Sequence, residues 1–270
     1  MTVARPRHFR FAQCGRPRPG PRRPEDWYDD RVLVDADAGL ACLADAQGPS
    51  YGGYHAPVGL DEALRLFHER SSAPGGTLDD GFDAAGEFLF SCHDMWTRLS
   101  RRAPGLDGLH RAGIEVARTR LHREVATFVH FTTSLTAVHL TGHGLEVRQV
   151  GGSRAYLVRD RSPELLLPDH MLDTIAPHLD PDGVHRTVST RLLGFEERVT
   201  VDRRLVAVTA GDVVALCSDG VWRAESEMNE ILPRAAENLD SAARELASLA
   251  PKTHDHATAV VLLLTAEPER

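Results

Sequence analysis

An aspartate recurs beside an apolar run, next to a small residue or a turn. It appears as Asp45 in LACLADA, Asp219 in VVALCSDG and Asp255 in THDHATAVV, the last just ahead of its run. Three carboxylates delivered from strand ends into one space repel strongly unless a cation joins them. Ligands that are all oxygen suit a hard divalent ion, Mg2+ or Mn2+. Taken singly, each aspartate is better explained as a turn residue or a helix N-cap. Walker A, G-x-G-x-x-G, H-E-x-x-H and G-x-S-x-G motifs are absent, which removes the common nucleotide, zinc-protease and hydrolase signals.

Strands must carry these aspartates. RVLVDADAGLACLADA reads as two short strands joined by a turn at Ala38–Gly39, the second ending at Asp45. TTSLTAVHL, LEVRQV, RAYLVR and ELLL alternate with period two and read as an antiparallel meander. RVTVD, RLVAV and DVVALCS resume the strands, and ATAVVLLLT is the last. Helical spacing covers VGLDEALRLFHER, AAGEFLFSCHDMWTRLS, LDGLHRAGIEVARTRLHREVATFV, ESEMNEILPRAAEN and LDSAARELASLA, with a patch around DHMLDTIAPHL. SSAPGGTLDDG reads as a loop between two helices, and GRPRPGPRRPED as an extended or looped segment. Many antiparallel strands with helices grouped in sequential pairs predict a layered α+β domain, not a doubly wound parallel sheet.

The chain has 270 residues, 42% hydrophobic and 26% charged, with a formal net charge of −8. That acidic balance argues against nucleic acid or an anionic membrane as partner. No apolar run reaches the roughly 20 residues of a membrane span, and MTVARPRHFRF has no signal-peptide core. Cys14, Cys42, Cys92 and Cys217 are scattered without a C-x-x-C pair, as in reduced thiols of a cytoplasmic protein. Cys217 sits within an apolar strand, with no neighbouring cation in sequence to activate it, and reads as core.

From Thr132 onward the runs FTTSLTAVHL, VGGSRAYLVRD, LLPDHML, STRLLG, AGDVVALCSDGVW and HDHATAVVLLL follow one another in order. In sequence and spacing they resemble the motifs of the metal-dependent protein phosphatase family (PPM, type 2C), as a divergent bacterial member. PEDWYDD and LADAQG resemble that family's N-terminal motifs more loosely. The resemblance implies a four-layer α-β-β-α sandwich of two antiparallel sheets flanked by helices. It also implies a single domain over 1–270, with residues 1–26 leading into the site. The implied chemistry is Ser/Thr phosphoprotein dephosphorylation at a centre of two Mn2+ or Mg2+ ions, by in-line attack of an activated water. By position Asp45 would bridge both ions, with the Ala46 carbonyl on one. Asp219 and Asp255 would complete the other shell, and Glu25 and Asp26 would hold metal-bound waters. The partner would be a phosphorylated protein, the substrate of a Ser/Thr kinase.

This chain departs from the family pattern at several positions. The family's phosphate-binding arginine falls at Pro21, so Arg22 or Arg23 would serve in a shifted register. Gly152 replaces an aspartate that helps to bind a third, loosely held ion, so that site is expected to be weak or absent. Ala46 replaces a glycine of which only the carbonyl is needed, and Pro24 and His256 replace asparagines. The glycine-rich loop is stretched to DAQGPSYGGYH, where His55 would be a proton donor for the leaving group. The retained acids favour an active enzyme, while Gly152, Ala46 and the displaced arginine lean toward a pseudophosphatase that binds without turnover.

Overall fold

The period-two runs fold into two antiparallel sheets, and which side of each strand is apolar decides how the sheets stack. The computed structural model describes residues 6–16, 30–47, 56–102, 132–175, 188–253 and 255–266. One sheet holds β1 (His8–Arg16), β6 (Arg154–Arg159), β7 (Ser162–Leu165), β9 (Val213–Cys217) and β10 (Ala257–Thr265), in the order β1-β10-β9-β6-β7. The other holds β2 (Arg31–Asp35), β3 (Leu40–Gln47), β4 (Thr132–Thr141), β5 (Gly144–Val150) and β8 (Asp202–Val206), in the order β2-β3-β4-β5-β8.

The first sheet is apolar on both faces. Val214 and Leu216 of β9, Val260, Leu262 and Leu264 of β10, and Ala155 and Leu157 of β6 meet Ala41, Leu43, Val138, Leu145, Val147 and Val206 of the second sheet in one cluster. The alternate residues Val213, Ala215, Cys217, Ala257, Ala259, Val261, Tyr156 and Val158 form a second cluster on the opposite face. That face is covered by α4 (Asp219–Trp222), α5 (Glu225–Ile231), a 3-10 helix (Leu232–Glu237) and α6 (Leu239–Ala247), through Val221, Met228, Leu232 and Leu246. Burying one such leucine side chain stabilises the fold by about 1.5–3 kcal/mol. Asn238 caps α6 by accepting a 2.9 Å hydrogen bond from the Ser241 N–H. A short α7 (Ala250–Thr253) then leads into β10. This is the α+β class the sequence predicts, with two sheets face to face.

Backbone contacts divide the chain into two compact units: residues 1–45, 134–191 and 200–270 in one, 46–133 and 192–199 in the other. The second unit holds α1 (Ala56–Ser71) and α2 (Leu78–Arg102), where Phe67 and Phe82 meet edge to face with ring centroids 5.6 Å apart. A further single turn, α3 (Leu172–Ile175), belongs to the first unit and marks the helical patch at DHMLDTI. The helix expected over 106–129 lies outside the described residues.

One strand is added to those expected, and three strand expectations are corrected. His8–Arg16 is a strand that the sequence reading assigned to no element, and only Gly15 and Arg16 of it fall in the GRPRPGPRRPED segment expected to be extended or looped. It pairs with all of β10, from His8↔Thr265 to Arg16↔Ala257, and its polar residues suit an edge position. The meander is divided, because the chain leaves the second sheet after Val150 and enters the first at Arg154. Strand β7 covers Ser162–Leu165 in place of ELLL. RVTVD contributes only Asp202 to β8; the Thr200 carbonyl accepts instead from Arg191, at 3.2 Å.

Candidate metal centre

The end of β9 and the start of β10 are held in register by Ser218 and Thr258. The Ser218 N–H donates to the Thr258 carbonyl at 3.0 Å, and the Thr258 N–H donates to Ser218 Oγ at 2.9 Å. Asp219, the first residue of α4, and Asp255, two residues before β10, therefore emerge at one end of the sheet. Gly220 makes this approach possible: a Cβ there would lie 1.8 Å from the His256 carbonyl oxygen. Only glycine fits so close to another backbone segment. Thr253 ties the turn further, donating from Oγ1 to the Gly220 carbonyl at 2.8 Å. The His256 N–H donates to Asp255 Oδ1 at 2.8 Å.

Asp45 comes from β3, and Ser134 Oγ of β4 donates to its carbonyl at 3.4 Å. A fourth carboxylate joins it. In the β2–β3 hairpin Arg31 stands opposite Ala44, which puts Asp30 beside Asp45. Asp30 is 2% exposed, Asp219 6% and Asp45 7%. Thr258 Oγ1 donates a short hydrogen bond to Asp30 Oδ2.

These carboxyls act on one another. Burial, more than any other cause, lifts Asp30 to about 7, against Thr258, and the charges of Asp219 and Asp255 add to the rise. Burial likewise lifts Asp45 well above the usual carboxylate range, reinforced by Asp30, Asp219 and Asp255. Asp219 rises to about 6 through burial and then Asp255, and Arg223 partly offsets the rise. Asp30 and Asp45 also act on each other directly, as neighbours across the hairpin. The cluster carries more negative charge than its surroundings can hold.

No family profile matches the chain. The serine/threonine phosphatase stp of Listeria monocytogenes is 31% identical over 109 residues, which cover 37% of this chain and 43% of that protein. The chain thus matches less than half the length of this curated relative. Among solved structures, PppA, described as a key regulatory component of T6SS in Pseudomonas aeruginosa, superposes with a TM-score of 0.69 at 22% identity. That match covers 96% of this chain and 99% of PppA. The Mycobacterium tuberculosis serine/threonine phosphatase PstP/Ppp gives 0.67 at 24% identity, over 96% and 99%. The catalytic domain of PstP in complex with two manganese ions gives 0.65 at 24%, over 96% and 99%. The fold is that of the PPM-type Ser/Thr phosphatases.

Within this PPM fold, Asp45, Asp219 and Asp255 lie near enough for their charges to act on one another, and Asp30 belongs to the same group. Among the described residues, no three His, Cys, Asp or Glu side chains already stand as a coordination shell. The donor set nevertheless suits a hard divalent ion: it is all carboxylate, largely buried and short of positive charge. Ala46 follows Asp45 on β3 and is half-buried. Arg22, Arg23, Glu25, Asp26 and His55 lie outside the described residues. Gly152 presents only its carbonyl, which accepts a 2.8 Å hydrogen bond from Trp222 Nε1. A Cβ at 152 would meet Met171 Sδ at 2.7 Å. Cys217 lies in the apolar cluster under α4, and burial pushes its thiol up to about 12, as suits a core residue. Sequence reading passed over Asp30, although the hairpin register that carries Asp45 points to it.

Proposed function

We propose that this chain is a metal-dependent Ser/Thr phosphoprotein phosphatase, acting as one catalytic domain over 1–270. The observation that carries the reading is that Asp30, Asp45, Asp219 and Asp255, from four separate segments of a PPM fold, act on one another, the first three of them buried. Asp45, Asp219 and Asp255 would hold two Mn2+ or Mg2+ ions, with the Ala46 carbonyl and Asp30 beside them. Bound ions of this kind acidify water and screen the charge of a phosphate. Glu25 and Asp26 would orient water at the centre, Arg22 or Arg23 would bind phosphate oxygens, and His55 would protonate the leaving hydroxyl. Gly152 offers no ligand to a third ion, and Met171 fills the space beside it. The substrate class is the phosphorylated protein product of a Ser/Thr kinase. The acidic chain does not suit nucleic acid, and no helix among the described residues is long and apolar enough to cross a membrane. A cytoplasmic site of action belongs to the same proposal.

A second reading, a pseudophosphatase, draws support from the absence of a ready coordination shell among the described residues. Turnover of p-nitrophenyl phosphate and of a phosphoserine peptide, with and without Mn2+, separates the two. The active reading expects Mn2+-dependent release of phosphate that Asp219→Asn abolishes. Binding of the phosphopeptide without release, or equal rates in wild type and variant, overturns it.

A further inference from the structure

Asp219 is shared. Arg223, one helical turn further on, places Nε 3.3 Å from Asp219 Oδ2, with both side chains largely buried, at 17% and 8% exposure. Its guanidinium also lies over the Trp222 ring, 4.7 Å from the centroid. Trp222 is fixed in turn, because its indole N–H donates to the Gly152 carbonyl. Arg154 packs over the same ring at 3.5 Å, but its charge is matched by Asp169, at 2.5 Å. Arg223 differs from Arg154 in that its carboxylate partner is one of the clustered acids.

We propose that Arg223 is a built-in cation of the site that competes with a divalent ion for Asp219. This inference rests on the metal-centre reading above. Gly152 brings no side chain to this region, and a Cβ there would meet Met171 Sδ at 2.7 Å. Through Trp222 the same glycine anchors the ring on which Arg223 rests. An ion that takes Asp219 must displace one charge-assisted hydrogen bond, and this sets the cost in affinity at roughly tenfold.

The test is calorimetric titration of Mn2+ into wild type, Arg223→Gln, Arg223→Met and Arg223→Lys at fixed pH, with circular dichroism on each variant. Arg223→Met keeps an apolar stem against Trp222, so at least one neutral variant retains the packing. The neutral variants are expected to bind one Mn2+ about tenfold more tightly than wild type, and Arg223→Lys to stay within about twofold of it. A folded neutral variant with wild-type affinity overturns this inference alone. A wild type that takes up no Mn2+ overturns the metal-centre reading and this inference together.

Discussion

Gly220→Ala tests how the aspartates are brought together. The new methyl carbon would lie 1.8 Å from the His256 oxygen, 2.6 Å from its carbonyl carbon and 3.2 Å from Ala257 Cα. Ordinary contact begins at 3.4 Å, and these three nearest atoms are all backbone, so no side-chain movement relieves them. The α4 turn and the start of β10 must therefore separate. Three hydrogen bonds of 2.8–3.0 Å span that junction, Ser218 to Thr258, Thr258 to Ser218, and Thr253 to Gly220, beside a longer one of 3.4 Å from Ser218 Oγ to the His256 carbonyl. At about 1 kcal/mol each, with overpacking strain added, the variant loses about 3–5 kcal/mol. For a chain of this size that lowers Tm by about 10 °C. The assay is thermal unfolding in chelator, followed by a Mn2+ titration below the transition, with Gly142→Ala as the control. A Cβ at Gly142 meets nothing within 4 Å, so that variant is expected to unfold within about 2 °C of wild type. Gly220→Ala is also expected to bind Mn2+ more weakly, because Asp219 and Asp255 no longer share one space. A Gly220→Ala protein with wild-type Tm and wild-type Mn2+ affinity would refute the claim that this close approach builds the centre.

Two further outcomes follow from the shifted carboxyls. Asp30 and Asp219, lifted to about 7 and about 6, keep protons in the folded chain that the unfolded chain has released above its value of 3.8. In chelator the protein is therefore expected to lose stability as pH rises from 4 to 7, read as a falling Tm. Saturating Mn2+ should flatten that slope, because the ion replaces the protons. Asp30→Asn removes one of the repelling charges, so it should raise Tm in chelator by a few degrees while weakening Mn2+ binding about tenfold. Thermal shift with and without Mn2+ reads both, and a variant that binds Mn2+ like wild type shows that Asp30 has no part in the centre.

Particular residues show why some of this was legible in the sequence. Strand β10 was bounded correctly because nine residues, nearly all apolar, serve clusters on both sides of one sheet. Strand β1 was missed because His8, Arg10, Gln13 and Arg16 dilute its pattern, and an edge strand needs apolar residues only where it meets the core. RVTVD alternates like a strand, yet Arg191 and Asp202 tie that segment into a side-chain network instead. Which sheet β5 and β6 each join is a long-range fact, and local alternation cannot report it. The Asp45, Asp219 and Asp255 set stood out because each interrupts or flanks an apolar run. Asp30 sits in an acidic stretch, DWYDDR, and its hydrogen-bond partner Thr258 lies far along the chain. The hairpin register was the one local signal for it, pairing position 30 with 45 once the turn at 36–39 was placed.

The central claim is that these aspartates form a metal centre, and anomalous diffraction from crystals grown with Mn2+ tests it most directly. Two Mn2+ peaks against Asp45, Asp219 and Asp255, with Asp30 at their edge, are the expected result. Saturating Mn2+ with no peak at these carboxylates would contradict it.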